Sequence, residues 1–158
     1  MNHIKQNNPE CKTVIQKVGC FFRSCGLIAE YQTGKYLSVK QINDTWEWAK
    51  GTGRIDEENC IKDSASIATR FLRALGDGGR FCEVGTFRGG VTYWYPSIPK
   101  DDRRADALIQ KIRQGGPSVT HFRVVDKNGG LIEDPHDPPL KVLDIYYSIL
   151  YEYIPEAK

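Results

Sequence analysis

The chain has 158 residues, 40 % of them hydrophobic, with 22 basic against 20 acidic side chains and a formal charge of +2. That is enough material for one domain with a core of its own, while the balanced, interspersed charge gives no case for nucleic acid or anionic lipid. Five cysteines, an odd count, argue against a disulfide scaffold and for a reducing compartment, the cytoplasm; no apolar run reaches membrane-spanning length.

The opening from Met1 to Asn8 is polar and lacks the apolar stretch of a signal peptide. Residues 1–12 therefore read as a flexible tail, disordered or loosely docked, ahead of a single domain over 13–158. A helix is expected from Cys20 to Gln32, with Gly34 as its stop. Ser38 and Gln41 have the spacing of a capping box, so a second helix should run to about Ala49, before Gly51 and Gly53. Asp63 or Ser64 caps a third, whose Ile67, Phe71, Leu72 and Leu75 form one apolar stripe closed by Gly76.

Near residue 80 the periodicity changes. Arg80 to Tyr95 is rich in β-formers and is interrupted at Gly89-Gly90, which predicts two strands. Asp101 to Gln114 returns to helical spacing through Ala105, Leu108, Ile109 and Ile112. Ser118 to Val125 reads as a strand, Asn128-Gly129 as a hairpin turn, and Leu131 to Glu133 as the returning strand. Leu140 to Tyr153 fits either a helix or a strand and is read as a helix, because Val142, Ile145, Ile149 and Tyr153 recur at three or four residues. Helices first, then an antiparallel sheet with one inserted helix, is an α+β order.

Several motifs fail. Gly34-Lys35 is not a phosphate loop, because Ala29 stands where the first glycine belongs and Tyr36 follows the lysine. Cys20 and Cys25 lack the Cys-x-x-Cys spacing of a zinc site. His121, Asp134, His136 and Asp137 have metal-binding chemistry but read better as a satisfied loop, so neither metal nor cofactor is expected.

What remains is a thiol, an imidazole and a carboxylate in chain order. Cys20 at a helix start places its sulfur in the positive end of the macrodipole, where a thiolate is favoured. Five residues on, after a rise of about 7.5 Å and a turn of about 140°, Cys25 faces another way and reads as apolar filler. His121 is mid-strand, and the hairpin lays Asp134 beside it, so that the carboxylate can fix the imidazole tautomer. Asp126 and Asp137 compete for that role, although Asp126 reads as a turn residue. Gln16 is the candidate side-chain donor to an oxyanion, with a surface glutamine as the plainer reading.

These residues resemble the papain-like cysteine peptidase superfamily, and within it the double-glycine leader peptidases. The resemblance rests on Gln16, Gly19-Cys20, Thr33-Gly34-Lys35 and Ser38, then Gly115-Gly116-Pro117, His121-Phe122-Arg123-Val124-Val125 and Asp134-Pro135, across roughly residues 14–140. It implies a papain-like α+β fold, N-terminal helices packed on an antiparallel sheet. It also implies catalysis by Cys20, His121, Asp134 and Gln16. The chain departs from the family where Phe21 follows the cysteine in place of glycine; Cys25-Gly26 offers that dipeptide, but only Cys20 keeps the distance to Thr33-Gly34-Lys35.

Two functions follow. One is a thiol hydrolase cutting an amide in a protein, a peptide or cell-wall peptide. The other is an inactive papain-like binding protein, which bulky Phe21 beside the thiol favours. Trp46, Trp48, Trp94 and Tyr95 can supply contacts in either.

Overall fold

A computed structural model describes residues 2–114 and 120–157. Its helices are α1 (Thr13–Val18), α2 (Cys20–Thr33), α3 (Val39–Gly51) and α4 (Ser64–Ala74). Six strands follow: β1 (Arg80–Arg88), β2 (Val91–Trp94), β3 (Ala107–Gln114), β4 (Thr120–Val125), β5 (Leu131–Glu133) and β6 (Val142–Ile154). They form one antiparallel sheet in the order β2-β1-β6-β3-β4-β5. The protein is thus α+β, four helices packed on a six-stranded sheet. No described helix is long and apolar enough to cross a membrane.

The helix boundaries follow their local chemistry. Gly34 ends α2 in the left-handed region at φ 71°, which costs glycine nothing. Ser38 and Gln41 satisfy each other's backbone amides in a complete capping box at α3. Asp63 caps α4 by accepting from the Ser66 amide, and Ile67, Ala68, Phe71 and Leu72 turn inward. Burying each of the large side chains contributes on the order of 1.5–3 kcal/mol. The hairpin at Gly89-Gly90 uses two positive φ angles, 59° and 79°.

Two expected helices are strands. In β3 the pairing with β4 runs unbroken from Leu108 to Arg113, and the extra residue at the shift against β6 is Tyr146, so β3 itself alternates. Adjacent Leu108 and Ile109 bury into separate clusters, so the strand is apolar on both faces, and Ile109 and Ile112, on opposite faces, imitate a helical spacing. Both isoleucines are fully buried. In β6 the inward series is Tyr147, Ile149, Tyr151 and Tyr153, with period two; Ile149 and Tyr153 fit both periods, which is how the pattern imitated a helix. The many β-branched and aromatic residues of β6 suit the middle of a sheet. Residues 115–119, which carry the Gly115-Gly116-Pro117 step and the first two residues of the expected strand 118–125, lie outside the described residues.

Residues 2–12, expected as a tail, lie docked on the domain. His3 pairs with buried Glu30, which also binds buried Arg23, and Arg23 Nε donates to the Ile4 carbonyl at 2.7 Å. Further along, the Gln6 amide donates to Pro135 O at 2.7 Å and Lys5 Nζ to Asp134 O at 2.6 Å. A polar segment is held here by specific hydrogen bonds, a device that hydropathy does not register.

Candidate active site

The junction of α1 and α2 fixes the thiol. Gly19 joins the two helices so tightly that a Cβ there would lie 2.4 Å from the Ile15 carbonyl oxygen. Cys20 is then the first residue of α2, with no side chain capping the helix end. Cys20, Phe21 and Phe22 form the first turn of α2, whose amides have no acceptor within that helix and make up the positive end of its fourteen residues.

β4 supplies the imidazole. β5 pairs only with Val124 and Val125, so beside His121 it is the segment after β5, not a strand, that covers the sheet edge. That segment delivers Asp134. His121 Nε2 donates to Asp134 Oδ1 at 2.7 Å, and both residues are buried. The carboxylate also accepts from the His136 amide at 2.8 Å and the Leu140 amide at 3.1 Å. Burial opposes its charge, but His121 and these amides outweigh burial and hold the Asp134 carboxyl below the ordinary range.

The thiol of Cys20 acts on the same ring. Burial would discharge His121, yet the hydrogen bond to Asp134 and the interaction with the Cys20 sulfur raise its pKa to about 9. With Nε2 committed to Asp134, Nδ1 is the nitrogen left for sulfur. Cys25 differs in every respect: it is fully buried, and burial drives its thiol far above the usual range.

Phe21 lies flat on Phe122, with ring centroids 4.2 Å apart and planes 9° from parallel. The ring that looked like an obstruction beside the thiol is instead packed against the residue following His121. A cavity of about 420 Å³ opens beside it, lined by Cys20, Phe22, Trp46, Ile61, Lys111 and Phe122 among others. A larger concavity, about 510 Å³, lies between the hairpin turns near Gly89 and Asn128 and is lined by no cysteine or histidine.

Gln16 is not brought to the thiol. Its Nε2 donates to Cys11 O at 2.8 Å, closing the turn before α1, so the amide is spent on local structure. Asp126 binds the amides of Asn128 and Gly130 within its own hairpin, at 2.8 and 2.9 Å. Asp137 meets Asn7 through its backbone. The sequence reading missed Lys5 and Gln6, which tie the N-terminal segment to the Asp134-Pro135 corner. Nothing in a short polar stretch distinguishes them from a solvated tail.

Among the described residues, no group of three or more His, Cys, Asp or Glu is arranged to hold a metal ion. Comparison with models of protein families, with curated proteins and with solved structures gives no match for this chain.

Proposed function

We propose that the protein is a thiol hydrolase of papain-like type, cutting an amide bond with Cys20, His121 and Asp134. The observation that carries this reading is the buried 2.7 Å pair of His121 and Asp134, on whose imidazole the Cys20 sulfur also acts. Cys20 as thiolate attacks the carbonyl carbon, and the oxyanion forms against the free amides at the start of α2. The His121 imidazolium gives its proton to the departing amine, leaving a thioester on Cys20. His121 then takes a proton from water, whose oxygen displaces the thiol and releases the acid. Asp134 keeps the ring oriented throughout and is not itself protonated.

Among the described residues, Lys17 and Lys111 are the only charged ones lining the Cys20 cavity, so the reading favours peptide substrates bearing a carboxylate near the scissile bond. Five free thiols suit a reducing compartment, taken here as the cytoplasm. The test is a screen of peptide and cell-wall amide pools with the protein and its Cys20→Ala variant. Cleavage that disappears with Cys20 supports the hydrolase; no cleavage together with an unreactive Cys20 supports the inactive binding protein.

A further inference from the structure

Away from the Cys20 cavity, and sharing no residue with it, Arg54, Arg70, Arg73 and Arg80 line one open concavity of about 380 Å³. They come from three places: the turn after α3, two successive turns of α4, and the first residue of β1. Trp48 organises two of them, with the Arg54 and Arg70 guanidinium carbons 4.8 and 4.9 Å from its ring centroid. Arg73 Nη1 is anchored on the carbonyls of Asp77 and Gly79, at 2.9 and 2.5 Å. Arg80 Nη1 lies 3.1 Å from the Cys82 sulfur.

None of these contacts neutralises a charge. No acidic residue lines the concavity, and among the described residues none of the four arginines forms an ion pair. The flanking carboxylates are engaged elsewhere. Asp63 accepts from the amide and hydroxyl of Ser66, and Asp77 from Tyr153 and Gly79. Asp44, which lines an adjoining concavity with Arg70 and Arg73, is paired with Lys40 at 2.5 Å. In addition, Arg54 Nε is buried with no partner among the described residues, a donor left without an acceptor. Four like charges held together repel one another, and a polyanion relieves that repulsion.

We propose that this concavity binds a small ligand carrying two phosphoryl groups, of the pyrophosphate or nucleoside-diphosphate kind. Planar guanidinium forks match phosphoryl oxygens bidentately. A diphosphate carries about three negative charges at neutral pH, which offsets most of the charge of the four arginines. The arginines converge on one hollow and do not run as a stripe, which favours a small molecule over a nucleic acid backbone. Trp48 is already occupied by two guanidinium groups, so the site recognises the phosphoryl part and not a stacked base.

The experiment is calorimetric titration of the whole chain with inorganic pyrophosphate, with sulfate at matched ionic strength and a short single-stranded oligonucleotide as parallel arms. Saturable one-to-one binding of pyrophosphate is expected, at least about ten-fold weaker in Arg70→Gln/Arg73→Gln and unchanged in Cys20→Ala. Arg80→Gln, at an exposed strand start, gives a second reading of the same loss should the double variant fold poorly. Pyrophosphate binding no tighter than sulfate, or untouched by these substitutions, overturns the site. An oligonucleotide binding more than about ten-fold tighter than pyrophosphate overturns the small-ligand assignment.

Discussion

Phe21 and Phe122, each the residue immediately after a member of the Cys20–His121 couple, stack at 4.2 Å between ring centroids. The stack joins the first turn of α2 to β4, the elements that carry Cys20 and His121. Glycine after the cysteine would leave that junction without its ring contact. Phe21→Ala should cost about 1–3 kcal/mol in stability, and a double-mutant cycle with Phe122→Ala should show a coupling of about 0.5–1.5 kcal/mol. Alkylation of Cys20 should slow in the same variants. Additive stability losses with unchanged alkylation would show that the rings merely fill space.

The cysteines should separate by reactivity. At pH 6, iodoacetamide should modify Cys20 first, because its sulfur sits at the start of α2 beside the His121 imidazole. Exposed Cys60 and half-buried Cys82 are the comparators, and Cys25 should react only on unfolding. Cys25→Ala should leave the labelling order intact and cost about 1–2 kcal/mol from lost packing. Peptide mapping of a brief labelling reaction decides it: Cys60 or Cys82 modified before Cys20 rules out an activated Cys20.

Three aspartates competed for the histidine, and the geometry separates them. Asp134→Asn should lower Cys20 alkylation near pH 6 by orders of magnitude, because the amide stabilises the wrong tautomer. Asp126→Asn should affect only its hairpin, and Asp137→Asn should change little. Equal pH profiles of alkylation for wild type and Asp134→Asn would remove the aspartate from the mechanism.

The pH dependence of stability has a definite sign. His121 is raised from 6.5 to about 9, so its contribution is complete below pH 6.5 and lost as pH rises through 9. Asp134 is lowered from 3.8, so its contribution is complete above that value and lost as pH falls through its lower folded pKa. The pair therefore stabilises the fold most fully between about pH 4 and pH 6.5. Urea melts of wild type and His121→Gln at pH 6 and pH 10 measure this. The stability difference between them should shrink by about 3 kcal/mol at the higher pH; a constant difference would mean that folding leaves the His121 pKa unchanged.

The sequence by itself determined what depends on neighbours in the chain. The start of α2 at Cys20, the Ser38–Gln41 box, the Asp63 cap and the turns at Gly89-Gly90 and Asn128-Gly129 are each set within about four residues, where side chains meet their own backbone. Cys20 and His121 could be picked out for the same reason, since a helix start and a strand position are local properties. Tertiary structure decided the rest. Only the pairing of β6 with β3 and β1 shows that Ile109, Ile112, Ile149 and Tyr153 belong to strands, because register is a relation between segments far apart in the chain. Only packing shows Gln16 bound to the Cys11 carbonyl, Asp134 chosen over Asp126 and Asp137, and Lys5 and Gln6 fastened to the far hairpin. A hydrogen bond across a hundred residues leaves no period in the chain, and its donors look like any solvated polar side chain until the fold buries them.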